Sequence, residues 1–227
     1  MTEIKDSLYT AENTRYKKDA KFYIALIVMT TVMFFVNVLF GVVYMSVRVS
    51  GDSMKNTLIN GDMLYANTVK KDVKRGDIVI IGGLKDKDYI IIKRVIAVGG
   101  EKVAIRNGKV FINDEPLSED YLDDGVITDL RHAPDKVTDE NGNLIDNELK
   151  KLLPKGLVLE ENEIFYLGDN REVSADARIN GPCKKENVIG IVENWSVNVK
   201  GITNAIYNFQ KKLYGFFGID LEKNIQG

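Results

Sequence analysis

The chain has 227 residues, 44% hydrophobic and 28% charged, which is ordinary for a folded protein with one sizeable domain. The formal net charge of -2 provides no global basic field of the kind that nucleic-acid binding uses, so we expect no nucleic-acid partner. The single cysteine, Cys183, excludes an internal disulfide and a zinc site made of several thiolates.

A polar N-terminal segment, residues 1–21, precedes a long apolar run over residues 22–47 that contains no charged side chain. As a helix this run would extend about 39 Å, which exceeds the ~30 Å hydrocarbon core of a bilayer. A cleavable signal peptide has a shorter apolar region and ends in a small-x-small site, which Tyr44–Arg48 lacks. We therefore predict one retained transmembrane helix over 22–47, with the lipid bilayer as a partner.

Flanking charge predicts the orientation of this helix. Five basic residues lie before it and only two lie in positions 48–67: Lys5, Arg15, Lys17, Lys18 and Lys21 against Arg48 and Lys55. Because cytoplasmic flanks carry the excess of Lys and Arg, we expect the N-terminus in the cytoplasm and residues 48–200 outside. The sequence therefore predicts a single-pass membrane protein.

Residues 48–200 have the pattern of an antiparallel, mainly β domain with few helices. Short runs rich in branched residues are separated by glycine or Asn/Asp turns, and Asn107-Gly108 predicts a tight hairpin. The predicted strands are Met63–Val69, Asp77–Ile81, Tyr89–Val98, Lys102–Arg106, Lys109–Asn113, Glu163–Leu167 and Val188–Val199.

Two segments depart from the strand pattern. Residues 118–156 are strongly acidic at first and predict an irregular surface insertion, with a short helix around Leu144–Leu153. Asp139, Asn141 and Asn143 resemble the start of a calcium loop, but Leu144 replaces the required glycine, so we expect no metal. Residues 201–227 form an amphipathic tail that fits either a helix in the membrane interface or one packed on the β domain.

Ser53 is a candidate nucleophile, and the sequence offers one good base for it. A serine hydroxyl needs a nearby base to remove its proton, and the only histidine, His132, lies in a polar loop. Lys93 lies in a strand that alternation predicts to be buried, on the same side as Tyr89, Ile91, Val95 and Ala97. Apolar neighbours favour the neutral amine, which can act as a general base.

Four motifs in this order resemble those of bacterial type I signal peptidases. They are Ser50–Leu58 (SGDSMKNTL), Arg75–Val79 (RGDIV), Lys93–Ile96 (KRVI) and Gly168–Arg178 (GDNREVSADAR), and the resemblance extends from about Phe22 to Val199. Each motif alone is weak. Together, behind an anchor, they are highly specific for the family.

The resemblance implies a serine endopeptidase of the bacterial cell membrane that removes signal peptides from exported preproteins through a serine-lysine dyad, without metal or other cofactor. It implies Ser53 as nucleophile and Lys93 as base, with Ser174 orienting the amine. It further implies that Asp176, with Arg178 and Arg94, forms a buried ionic support. We expect shallow apolar pockets near Met54, Leu58, Ile91 and Ile92 to select small substrate side chains.

The chain departs from the family pattern at three positions: members commonly have proline at Asn56 and Gly99 and serine at Ala177. None of these removes the nucleophile or base. One alternative is a non-catalytic relative that assists assembly of exported, pilus-type subunits, against which the presence of both Ser53 and Lys93 argues. Another is a self-cleaving protease related to DNA-damage repressors, but that class has a DNA-binding module where this chain has an anchor.

Overall fold

A computed structural model describes residues 2–83, 90–138 and 143–216. It divides the chain into two units, 1–43 and 44–227. The first unit is the single helix α1, Thr2–Val43. Its part Asp19–Val43 has 25 residues and contains an 18-residue window with a mean hydropathy of 2.5, which is long and apolar enough to cross a membrane.

The predicted end of the apolar helix at Val47 is wrong, because α1 ends at Val43. Tyr44–Arg48 is the first β-strand and pairs antiparallel with Met63–Asn67. Apolar, branched residues suit a half-buried strand as well as a membrane helix, so composition does not separate the two. Pairing with the later strand Met63–Asn67 determines where the helix ends.

The second unit is built almost entirely of antiparallel strands, which confirms the predicted fold class. In chain order the strands are β1 Tyr44–Arg48, β2 Met63–Asn67, β3 Ile78–Ile81, β4 Ile91–Val98, β5 Lys102–Arg106, β6 Lys109–Ile112, β7 Glu115–Pro116, β8 Lys136–Thr138, β9 Leu144–Asp146, β10 Leu157–Val158, β11 Glu163–Leu167, β12 Cys183–Lys184 and β13 Val188–Val192. The helices are α2 Glu148–Leu152, α3 Ala177–Asn180, α4 Asn194–Asn198 and α5 Lys200–Phe216, with a 3₁₀ turn at Lys185–Asn187.

The strands form a seven-stranded sheet in the order β1-β2-β13-β3-β4-β11-β12, a four-stranded sheet β10-β5-β6-β7 and the pair β8-β9. The hairpin at Asn107-Gly108 joins β5 and β6 as predicted. Both faces of the large sheet are covered, since β3 contributes Val79 and Ile81 to one apolar cluster and Ile78 and Ile80 to another. Burial on both faces explains why β3 is apolar at every position.

Two predicted elements have different structures. The strand predicted over Val188–Val199 ends at Val192, and α4 follows, because the Ser196 hydroxyl accepts a hydrogen bond from the Tyr65 N–H at 2.7 Å. The helix predicted around Leu144–Leu153 is split into β9 and α2, with Asn147 capping the helix. Tyr89 of the predicted β4, Asp139 and Asn141 of the calcium-like pattern, and residues 217–227 of the tail lie outside the described residues.

The insertion at 118–156 is only partly a surface feature. Thr128, Ala133, Asn147 and Leu153 are each at most 4% exposed. Leu153 belongs to the larger apolar cluster. The segment is therefore anchored in the domain at several points, so the predicted surface insertion lies on the surface only in part.

Candidate active site

Ser53 lies in a loop between β1 and β2 that is fastened to a second loop after β11. The Ser53 carbonyl accepts a hydrogen bond from the Asn170 N–H at 3.0 Å. The Asn170 side-chain amide donates to the Asp52 carbonyl, also at 3.0 Å. Both bonds hold main-chain atoms next to the Ser53 side chain, so the position of its hydroxyl depends on a residue more than 100 positions away.

Lys93 reaches Ser53 from the middle of β4. Its Nζ lies 2.8 Å from Ser53 Oγ and donates to the Ile92 carbonyl at 3.0 Å. Lys93 is 3% exposed. Burial lowers the pKa of Lys93 from 10.5 to about 8, although the charges of Asp176 and Asp169 act in the opposite direction. The pair therefore has the geometry and the basicity of a nucleophile and its general base.

Gly168 is the point of closest approach between the two loops. A Cβ atom at this position would lie 2.4 Å from the Ser53 carbonyl oxygen and 2.2 Å from Ser174 Oγ. The Gly168 N–H donates to Asp176 at 3.1 Å. Only glycine lets the β11 end pass this close to the nucleophile loop.

Arg94 forms a buried ion pair with Asp169, not with Asp176 as predicted. Its Nε and Nη2 donate to the two Asp169 oxygens at 2.9 and 2.7 Å, and Asp169 is fully buried. Thr57, four residues after Ser53, donates to the same carboxylate at 2.5 Å. The ring of Tyr121 lies under the guanidinium, 3.9 Å away. A two-bond pair of this kind fixes the orientation of both groups.

Asp176 and Arg178 form a second buried pair. Arg178 Nε and Nη2 donate to the Asp176 oxygens at 2.9 and 3.0 Å. Ser174 Oγ is buried and has no hydrogen-bond partner among the residues that the structure describes. The expected bond from Ser174 to the Lys93 amine is therefore absent from this arrangement, although Ser174 lies against Gly168 beside the nucleophile loop.

A cleft of about 140 Å³ opens beside the dyad. Three of the four predicted substrate-binding residues line it: Met54, Ile91 and Ile92. The fourth, Leu58, is fully buried in the smaller apolar cluster and does not line the cleft. The main chain turns at Thr57 and Leu58 back toward Met54, which directs the Leu58 side chain into the core.

The family described as "Signal peptidase, peptidase S26" matches residues 21–196. The chain belongs to this family. A signal peptidase IB of Staphylococcus aureus (strain COL) is 32% identical over 148 residues, covering 63% of this chain and 73% of that protein. A signal peptidase I P of Bacillus subtilis subsp. natto is 32% identical over 149 residues, covering 64% and 72%. A crystal structure of a signal peptidase I from Enterococcus faecalis V583 is 28% identical, with a TM-score of 0.38, covering 54% of this chain and 97% of that one.

Two of the three departures from the signal peptidase pattern have a structural reason in this chain. Asn56 has a φ of 102°, which the proline ring cannot adopt. A Cβ at Gly99 would lie 2.2 Å from the Glu161 carbonyl oxygen, so the backbone leaves no room for a side chain. The backbone of each turn therefore suits the residue that this chain has at that position.

Sequence reasoning missed the residues that connect this signal peptidase site to the insertion. Arg171 is 2% exposed, donates to the Gly168 carbonyl at 3.0 Å and is paired with Glu119 and Thr128 of the insertion. Asp169 lies in the Gly168–Arg178 motif, but no role was predicted for it. Its position directly after the apolar strand Glu163–Leu167 is the one sequence signal that could have indicated a buried carboxylate.

The lowered pKa of Lys93 predicts how pH changes stability. Between about pH 8 and 10.5 the unfolded chain binds one more proton at Lys93 than the folded chain, so the free energy of unfolding rises with pH in this window. At pH 7 the buried lysine costs about 3 kcal/mol. We expect Lys93→Met to raise the free energy of unfolding by up to about that amount at pH 7, and the gain to shrink as pH approaches 10.5.

Denaturant unfolding of the full chain in detergent micelles, repeated at several pH values, measures this difference. Lys102→Met is a suitable control, because that lysine lies at an exposed ion pair with Asp114. A difference between parent and Lys93→Met that is constant with pH would show that Lys93 titrates alike in the folded and unfolded states.

Proposed function

We propose that Ser53 and Lys93 are the catalytic dyad of this signal peptidase. The observation that carries the proposal is the 2.8 Å separation of Lys93 Nζ and Ser53 Oγ, at a lysine whose pKa burial lowers to about 8. An amine with such a pKa is uncharged in about one molecule in ten at pH 7, against fewer than about one in a thousand for an ordinary lysine. Family membership supplies the reaction class, which is hydrolysis of signal peptides by a serine peptidase.

In the proposed mechanism the neutral Lys93 amine takes the Ser53 hydroxyl proton while Oγ attacks the scissile carbonyl carbon. The resulting ammonium gives that proton to the leaving nitrogen as the peptide bond breaks, which leaves an acyl group on Ser53. Lys93, neutral again, takes a proton from a water molecule that attacks the acyl carbon. The proton then returns to Ser53 Oγ, and the signal peptide leaves as a carboxylate.

The oxyanion needs donors fixed before the reaction begins. Among the described residues the Ser53 N–H has no acceptor, while the Ser53 carbonyl is held by Asn170. Gly51, two residues earlier, has no hydroxyl to contribute. We assign the Ser53 N–H as the main oxyanion donor, because the Asn170 bond orients the neighbouring peptide units.

The two buried ion pairs act as supports in this proposal. Arg94 and Asp169 hold the end of β11 against β4, and Asp176 with Arg178 holds the Gly168 N–H. Ser174 is assigned the task of orienting the Lys93 amine in the substrate complex, because its buried hydroxyl has no other partner among the described residues. Catalytic hydrogen bonds often tighten only when substrate is bound.

Substrate selection is assigned to the cleft beside the dyad. Its volume of about 140 Å³ suits small side chains, and Met54, Ile91 and Ile92 make part of its wall apolar. We propose that it accepts the small residues at positions 1 and 3 before the cut, in agreement with the A-x-A form of such sites. Leu58 is left out of this assignment because it is buried elsewhere.

The proposed topology places the N-terminus in the cytoplasm and the β domain on the far side of the membrane. Five basic residues precede the apolar run and two lie in the 20 positions after it. That asymmetry satisfies the positive-inside rule. The preprotein and the site would then meet on the side to which proteins are exported.

Incubating the purified full chain in detergent with a preprotein tests the function directly. We expect one cut after a small residue, mapped by mass spectrometry of both products, and no cut with Ser53→Ala. Leu58→Met is a matched control, since it changes a neighbouring buried side chain at similar volume and leaves the dyad intact. If the parent chain binds the preprotein without cutting it, the non-catalytic alternative is correct and the dyad has no catalytic role.

A further inference from the structure

Helix α5 presents apolar side chains away from the domain. Its 17 residues span about 25 Å at ~1.5 Å per residue. Ile202, Ile206, Phe209 and Phe216, which we call the apolar stripe, follow one another at spacings of four, three and seven residues and so share one face. They are 61%, 48%, 67% and 85% exposed. This helix lies beyond residues 21–196, which match the family.

The other face of α5 is already occupied, and by polar contacts. Thr203 Oγ1 donates to the Met63 carbonyl at 2.8 Å, and the Asn204 side chain accepts from the Met63 N–H at 2.7 Å. Tyr207 is 6% exposed and lies under the Arg48 guanidinium. A helix that is stabilised by a protein core turns its apolar face toward that core. In α5 the apolar stripe points away from the domain, so an apolar environment other than the domain core must cover it.

The charge of α5 indicates what that environment is. Residues 200–216 contain three lysines and no acidic residue, although the whole chain has a net charge of -2. Lys200 donates to the Thr57 carbonyl at 2.8 Å and lies 3.5 Å from Asp62, so Lys211 and Lys212 are the exposed lysines of the helix. A helix with an apolar face and lysines on the remainder is the pattern of interfacial helices that bind anionic lipid. A second copy of the chain would offer no complementary charge here, since its own stripe is also flanked by lysines.

The attachment point of α5 lies close to the membrane anchor along the chain. Tyr44 follows the last residue of α1 directly, and β1, which begins there, is about 17 Å long at ~3.3 Å per residue. α5 is fastened to Met63 and Arg48, which pair with each other at the far end of β1. Trp195, 40% exposed, contacts Tyr44 with ring centroids 6.1 Å apart, and such amphipathic rings favour membrane surfaces.

We propose that α5 lies in the membrane interface, with the apolar stripe in the boundary between headgroups and acyl chains and the exposed Lys211 and Lys212 among anionic headgroups. The inference rests on the proposed anchoring of the chain by α1. It gives the domain a second attachment besides that anchor, so the domain would be held in a fixed orientation rather than rotating about one tether. A preprotein emerging from the same bilayer would then meet the dyad at a constant height.

Fluorescence of the full chain in vesicles tests this placement. The only tryptophan is replaced by W195F, and a single reporter is introduced by F209W on the stripe or, as the matched control, by N208W on the polar side. With bromine on the upper acyl chains, we expect F209W to lose roughly half of its emission, because interfacial helices are buried ~5–10 Å. N208W should lose much less. Vesicles of phosphatidylcholine with phosphatidylglycerol should give stronger quenching than phosphatidylcholine alone.

Equal quenching of F209W and N208W, or none of either, would overturn the proposal. The proposal would also be overturned if F209W emission were blue-shifted without bromine quenching and the blue shift increased with the protein-to-lipid ratio. That result would mean that a second copy of the chain covers the stripe. Flotation of the vesicles reports the α1 anchor independently, and cleavage of a short peptide in detergent reports the dyad. If the chain does not float with the vesicles, or does not cleave the peptide, the proposed function is wrong, and the result does not bear on the placement of α5.

Discussion

Replacing Lys93 with alanine should reduce preprotein cleavage by a factor of at least ~10⁴, and Ser53→Ala should reduce it similarly, because the two residues act as one unit. Lys93→Arg should fail as well. A guanidinium keeps its proton at any working pH and cannot accept the one from Ser53 Oγ, which lies 2.8 Å from the Lys93 amine. The measurement is kcat/KM of the full chain in detergent against one preprotein.

A loss of activity can be assigned to the missing catalytic group only if the variant still folds. Lys93 is buried and close to its partners, so each variant should be compared with the parent by circular dichroism and denaturant unfolding. We expect Lys93→Ala to fold, since removing a buried charge offsets part of the lost packing. Substantial turnover by a folded Lys93→Ala chain would remove lysine from the mechanism.

Gly168→Ala should be the most damaging change outside the dyad. The added Cβ would lie 2.4 Å from the Ser53 carbonyl oxygen and 2.2 Å from Ser174 Oγ, so the nucleophile loop must move. Misplacement of a reacting group by about 1 Å costs on the order of 10²-fold in rate. We therefore expect kcat to fall by about that factor or more, with Lys93 and Ser53 both still present.

Gly201→Ala is the matched control for this substitution. A Cβ at Gly201 meets nothing within 4 Å, and that residue lies in α5, away from the dyad. Its activity should equal that of the parent. Equal activity in Gly168→Ala would show that the loop after β11 does not hold Ser53 in place, and the support assigned to Gly168 and Asn170 would be lost.

The sequence was sufficient where a local pattern determines the structure. Alternation placed Lys93 on a buried strand, and Asn107-Gly108 predicted the hairpin between β5 and β6. The pairing of Ser53 with Lys93 was a different kind of prediction. It began from the need of a serine nucleophile for a base, for which Lys93 was the best candidate, and the family resemblance then implied the same pair. The structure brings the two side chains to 2.8 Å across 40 positions of sequence.

The remaining features depend on contacts between distant residues. Arg94 was expected to support Asp176, but the antiparallel pairing places Leu167 opposite Arg94, and Asp169, two residues further on, accepts the hydrogen bonds of its guanidinium. The end of α1 was misplaced because β1 is defined by its partner β2. Glu119 is acidic like its neighbours in the insertion, and only the fold shows that it pairs with the buried Arg171. Composition contains none of this information.

The pH dependence of kcat/KM tests the central claim most directly, because it reports the pKa of the base in the free enzyme. The account predicts that cleavage rises with pH and levels off above the Lys93 pKa of about 8. At pH 7 the rate should be about a tenth of the plateau, since about one lysine in ten is then neutral. A rate that continues to rise to the ordinary lysine value of 10.5, or one that does not change from pH 6 to 10, would contradict Lys93 as the desolvated base.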